Sequence, residues 1–175
     1  MQSETSVTEQ EFIAVFREHK DPVYRFAWRM TGSAVAAEDI TQECFLALWR
    51  APGRYDSSRG SWRPFLLGLT RNLVLKRWRA EGRFEALGDD EAVVHRPSNA
   101  TLGTDVREAV AHAIALLPPP QREVLILAEY EDLRLEEIAR MVGVEVSAVK
   151  SRLHRARENL RRMLSDWREY ARTIE

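Results

Sequence analysis

Apolar residues recur along this chain at intervals of three and four, which gathers them on one face of an α-helix, and no stretch alternates as a half-buried strand would. Thr8 followed by Glu11 fits a capping box, in which each side chain satisfies a backbone amide of the other's turn. Phe12, Val15 and Phe16 then follow at helical spacing, so a first helix is expected from about Thr8. Asp21 before Pro22 predicts a break and a second helix, with Val23, Phe26, Ala27 and Met30 on its apolar face and Thr31-Gly32 at its end. From Ala36 to Arg50, the apolar residues Ile40, Cys44, Ala47 and Leu48 share one face, while Asp39, Gln42, Glu43 and Leu46 lie together on another. Turn chemistry at Pro52-Gly53 and from Ser57 to Gly60 precedes a further helix. Its core face is expected to be Trp62, Phe65, Leu66, Leu69 and Leu73, and it is expected to run to about Arg79.

Between Gly82 and Thr104 the periodicity disappears and Gly, Pro, Asp, Ser and Asn accumulate, the composition of a flexible linker. Beyond it, Val106, Val110, Ile114 and Leu117 predict a helix that Pro118-Pro119-Pro120 stops, and Val124, Leu125 and Leu127 predict another. The expected fold is all-α, with two small helical domains, residues 1–81 and 105–175, joined by a linker over 82–104.

The sharpest local pattern is LEEIARMVGVEVSAVKSRLHRAR, Leu135 to Arg157, which has helix-turn-helix spacing. Ile138, Ala139, Val144, Val149 and Leu153 would pack its two helices together, and Gly143 suits the turn between them. Lys150, Ser151, His154 and Arg155 occupy the free face of the second helix, flanked by Arg152 and Arg157. These side chains can donate to base edges or phosphates in a major groove.

The formal net charge of −1 conceals an uneven distribution. From Arg54 to Arg83 eight Lys and Arg face two acids, from Phe84 to Val149 five face thirteen, and from Lys150 onward eight face four. Two basic blocks, each able to meet nucleic acid, therefore flank an acidic one. One cysteine, Cys44, excludes an internal disulfide, and four scattered histidines lack zinc-site spacing, so no metal or other cofactor is expected. No apolar stretch approaches the roughly 20 residues of a membrane span, and the polar segment from Met1 to Glu11 does not resemble a secretion signal, so no membrane insertion and a cytoplasmic location are expected. No base, nucleophile and orienting acid converge in the pattern, so an enzyme is not expected.

With these motifs in place, the chain resembles the extracytoplasmic-function (ECF) group of the sigma-70 family. LPPPQREVLIL followed by LEEIARMVGVEVSAVKSRLHRARE looks like region four. AEDITQECFLALWR looks like the polymerase-binding helix of region two, and SWRPFLLGLTRNLVLKRWR like its promoter-melting segment. The resemblance covers most of Phe12 to Met163, in the order the family uses.

It implies a sigma factor that joins bacterial core RNA polymerase and directs initiation at particular promoters. Asp39, Gln42 and Glu43 fall where the family's motif meets the polymerase. Arg71 and Asn72 match an Arg-Asn pair in the segment that captures the melted −10 strand, where Tyr55, Lys76, Arg77 and Trp78 would add aromatic surfaces and cations. Lys150, Ser151, Arg152, His154 and Arg155 would read duplex DNA at the −35 element. Two departures bear on promoter choice: Lys76-Arg77 stand near a position the family commonly fills with an acid, and Asp132-Leu133-Arg134 replaces a frequent Gly-Leu-Ser. Leu160, Leu164, Trp167, Ala171 and Ile174 continue a helical stripe past Arg157, which suits either packing against region four or docking of an anti-sigma factor. An operator-binding repressor is the rival reading of the helix-turn-helix, and it would need neither the acidic stripe nor the Arg-Asn segment.

Overall fold

The computed structural model describes residues 7–82 and 106–174, with side chains described as far as Ser165. All regular structure among these residues is helical, and the chain divides into two compact units, Met1–Glu85 and Ala86–Glu175. The predicted linker lies outside the described residues except for Gly82, as do the side chains of Trp167, Ala171 and Ile174.

In the first unit, α1 (Glu9–Thr31), α2 (Ala34–Arg50) and α3 (Trp62–Ala80) pack pairwise. The capping box forms as expected: the Glu11 amide donates to Thr8 Oγ1 at 3.2 Å, and the Thr8 amide donates to Glu11 Oε2 at 2.8 Å. The helix ends on Gly32, whose left-handed backbone (φ 70°) lets its amide donate to the Trp28 carbonyl at 2.7 Å. Pro22 does not break this element, contrary to the two helices predicted: α1 runs through it as one helix of 23 residues. A proline here removes one backbone donor, but Val15, Val23, Phe26, Ala27 and Met30 form a buried face on both sides of it, and that shared burial keeps the turns in one line.

Ser33 caps α2, with its Oγ accepting from the Ala36 amide at 3.2 Å. Ile40, Cys44, Phe45 and Leu48 then enter the core. Two single 3₁₀ turns, Pro52–Arg54 and Ser57–Arg59, lead into α3. The buried face of α3 is rotated from the expected one: Leu66, Leu67, Thr70, Val74, Leu75 and Trp78 are buried, while Trp62, Phe65, Leu69 and Leu73 are partly buried against the core. A helix squeezed between two others is covered over more of its circumference than a single stripe. The buried Thr70 hydroxyl is satisfied within its own helix, donating to the Leu66 carbonyl at 2.7 Å.

The second unit contains α4 (Val106–Leu116), α5 (Pro119–Glu129), α6 (Leu135–Val142) and α7 (Val146–Ile174), with α4, α5 and α6 all packed on α7. The triple proline ends α4 and also begins α5, where Pro119 and Pro120 fill positions that need no amide donor. No glycine closes α4. Instead Arg122 reaches back, with one guanidinium nitrogen donating to the Leu117 carbonyl at 3.0 Å and to the Ala115 carbonyl. Val106, expected in the core, is 59% exposed, and Ala109, Ala113 and Ile114 carry the buried face of α4.

Candidate nucleic-acid interface

The helix-turn-helix forms from α6 and the start of α7. Gly143 adopts φ 74°, and both its amide and that of Val144 donate to the Ala139 carbonyl, at 2.9 and 3.1 Å. A side chain at this angle would be strained, so glycine sets the tight turn. Ile138, Ala139, Val149, Leu153 and Ala156 are buried and lock the two helices together. Lys150, Ser151, His154 and Arg155 all remain on the exposed face of α7. Two flanking arginines sit differently. Arg152 is half-buried, and Arg157 turns toward α5, its Nε 3.0 Å from Glu129 Oε1, where it ties the helices together.

In the first unit, Asp39, Gln42 and Glu43 are exposed on α2, and Leu46 extends their stripe at 47% exposure. Next to them on α3 lie the residues predicted to hold a melted strand. Asn72 and Lys76 are exposed, and Arg71 is half-buried. Trp78 requires a correction: at 3% exposure it belongs to the core beside Val74 and Leu75, and a ring covered by protein cannot stack on a base. Tyr55 is half-buried and lies almost flat on Trp62, with ring centroids 3.5 Å apart at 13°, and meets Phe65 edge-on at 5.4 Å. Its hydroxyl donates to the Gly60 carbonyl at 3.1 Å, fixing the loop that leads into α3.

The acidic stripe and the basic helix are not separate surfaces. Arg77 Nη1 lies 3.5 Å from Asp39 Oδ2, and Lys76 Nζ lies 3.4 Å from Glu43 Oε1, while Glu81, the C-cap of α3, holds Arg77 Nε at 2.9 Å. No sequence signal announces these cross-helix pairs, whose members are 38 and 33 residues apart. Beyond Leu46, an apolar cluster continues the surface: Phe12 meets Trp49 at 5.0 Å and Phe16 meets Phe45 at 4.9 Å, with Phe16 and Trp49 left 39% and 52% exposed.

Among the described residues no group of His, Cys, Asp and Glu could hold a metal ion, and no helix is long and apolar enough to cross a membrane. Cys44 is buried, and that burial pushes its thiol up to about 11, far from nucleophilic at neutral pH.

Two family matches coincide with the two units: residues 15–84 match Sigma-70 region 2, and residues 107–160 match Sigma-70, region 4. The chain is 36% identical over 162 residues to the ECF RNA polymerase sigma factor SigE of Mycolicibacterium smegmatis, a match that spans 85% of this chain and 60% of SigE. It is 31% identical over 159 residues to the ECF RNA polymerase sigma factor SigL of Mycobacterium tuberculosis, spanning 87% of this chain and 88% of SigL. Its fold is similar to that of the sigma factor RpoE from Bartonella quintana, solved with the anti-sigma factor NepR, with a TM-score of 0.72 at 22% identity, covering 89% of this chain and 98% of that one. With region 2 carrying the paired acidic and basic helices and region 4 carrying the helix-turn-helix, the chain belongs to the ECF RNA polymerase sigma factors.

Proposed function

We propose that this chain binds bacterial core RNA polymerase through α2, captures the melted −10 strand along α3, and reads −35 duplex DNA with α7. The observation that carries this reading is the exposure of Lys150, Ser151, His154 and Arg155 on the second helix of a helix-turn-helix, in a chain whose other unit presents Asp39, Gln42 and Glu43 in one stripe. Two acidic side chains at i and i+4, with the Gln42 amide between them, suit a basic helical partner, and opposite charge speeds encounter and fixes register. Asn72 and the half-buried Arg71 stand on α3 where a single strand would lie, with Tyr55 and Trp62 as the nearby aromatic surface. Arg152, half-buried on α7, serves the −35 contact from the flank.

Catalytic power lies with the polymerase; the sigma chain contributes binding free energy. Extruding a base costs a few kcal/mol, which contacts to the opened strand offset without ATP. Such a factor works in the cytoplasm, where polymerase and promoter are. An anti-sigma factor completes the set of partners, and the exposed Phe16, Leu46 and Trp49 offer it apolar surface beside the acidic stripe.

Run-off transcription with bacterial core polymerase on a promoter library tests the reading. Wild type should direct initiation, Asp39→Ala/Glu43→Ala should fail to join the polymerase, and Lys150→Ala/Arg155→Ala should join it but lose upstream recognition. Specific duplex binding by the free protein, with no initiation by any polymerase mixture, would identify an operator-binding regulator instead.

A further inference from the structure

Asp39 and Glu43 sit one turn apart on α2, and each faces a different cation of α3: Arg77 at 3.5 Å and Lys76 at 3.4 Å. The groups proposed to dock on polymerase therefore neutralise the groups proposed to meet the strand. Asp39, Glu43 and Lys76 are exposed, and Arg77 is half-buried with 36% of its side chain in solvent. Exposed pairs of this kind are weak and exchange readily for another partner of the same charge. Each carboxylate can bind its own cation or a cation of the polymerase, and each cation can bind its own carboxylate or a phosphate.

We infer that Asp39 and Glu43 shield Arg77 and Lys76 from DNA in the free protein, and that polymerase, by taking the two carboxylates, releases the two cations to the phosphates of the melted strand. This rests on the reading that α2 docks on polymerase. Docking and strand capture are then linked by a charge exchange across one helix pair, without movement of the backbone. Glu81, 2.9 Å from Arg77 Nε, keeps that guanidinium aligned on α3 after Asp39 departs. Lys76, paired with Glu43, swings free on its flexible stem once that carboxylate is taken.

Binding of the full-length protein to a fluorescein-labelled 12-nucleotide oligothymidylate, measured by anisotropy across a salt series, tests the shielding. Asp39→Asn/Glu43→Gln should bind several-fold more tightly than wild type, with a salt slope steeper by about 0.7 to 1.4, since each phosphate newly contacted on a single strand adds about 0.7. Asp21→Asn/Glu38→Gln removes the same charge from exposed acids elsewhere on α1 and α2 and should gain much less. An equal gain in that control, no gain in Asp39→Asn/Glu43→Gln, or a gain that survives the addition of Lys76→Ala/Arg77→Ala would each overturn the shielding. Affinity for core polymerase is measured on the same proteins. Unchanged polymerase affinity in Asp39→Asn/Glu43→Gln would overturn the docking reading and with it the release step, whereas lost polymerase affinity beside unchanged DNA affinity would overturn the shielding alone.

Discussion

Tyr55 lies flat on Trp62, 3.5 Å between ring centroids, and so ties the loop after α2 to the first turn of α3. One face of the tyrosine is covered by this stack, and its hydroxyl is held by the Gly60 carbonyl. On the proposed −10 role, a base would stack on the face of Tyr55 turned away from Trp62, with Trp62 as its backing. A double-mutant cycle of Tyr55→Ala and Trp62→Ala, followed by chemical denaturation, should give a coupling of about 1 kcal/mol. Trp62→Ala should also weaken single-strand binding, although its own ring need not touch a base. Additive stability effects would show that the loop is positioned by something else.

Gly68 stands in the middle of α3, and a Cβ built on it meets nothing within 4 Å. The fold gives no steric reason for a glycine there, while glycine inside a helix costs about 0.5–1 kcal/mol relative to alanine. Gly68→Ala should raise the stability of the first unit by about that amount, read as a higher melting temperature. Its exposed neighbour one turn on is Asn72, so the same variant assayed for promoter opening shows whether an approaching strand needs the missing side chain.

Local features were legible in the sequence because they depend on neighbours in the chain. The Thr8–Glu11 capping box, the Gly143 turn and the Ile138, Val149 and Leu153 packing face each follow from spacings of a few residues. Pro22 misled because Asp-Pro is a sound helix-start signal; what overrides it is burial of Val15 and Val23 against the same core, a tertiary effect. Trp78 was readable in principle: with Leu67, Val74 and Leu75 it forms an apolar stripe at helical spacing, but the basic residues around it drew it into the DNA set. The Asp39–Arg77 pair was not readable at all, since only the packing of α2 on α3 brings those positions together.

Cys44 supplies a test of the first unit's core. Burial, only partly opposed by the Thr70 hydroxyl 3.4 Å away, pushes its thiol up from 9.0 to about 11. The folded state thus binds this proton more tightly than the unfolded chain, so the contribution to stability is complete below pH 9 and falls as pH rises toward 11. The loss should reach about 2–3 kcal/mol. Denaturation of wild type and Cys44→Ala across pH 8 to 11 isolates it: the wild-type curve should fall more steeply, and a parallel pair of curves would rule out a buried thiol. Iodoacetamide at pH 8 should leave the folded thiol unmodified and label it in denaturant.

The departure Asp132-Leu133-Arg134, where relatives of this kind frequently have Gly-Leu-Ser, acquires a local physical meaning from the backbone. Asp132 adopts φ 52°, the left-handed region that glycine enters freely and aspartate at some cost. Arg134 is the N-cap of α6; its amide donates to Glu137 Oε2 at 2.9 Å, which lowers the Glu137 carboxyl below its usual range. That is half of a capping box, because a guanidinium has no acceptor to offer the Glu137 amide in return. Arg134→Ser supplies the missing acceptor and should stabilise the second unit by about 1 kcal/mol. Asp132→Gly should add about 0.5 kcal/mol, since relief of the backbone angle is partly offset by the greater freedom of glycine in the unfolded chain. Asp132→Val should cost more than about 1 kcal/mol, because a β-branched side chain tolerates that angle least. Urea denaturation of the full-length variants measures all three. A stabilised Arg134→Ser protein that also binds its promoter less tightly would mean that the arginine, 79% exposed, exchanges a helix cap for a phosphate contact; unchanged promoter affinity would leave the sequence departure without a role in DNA binding.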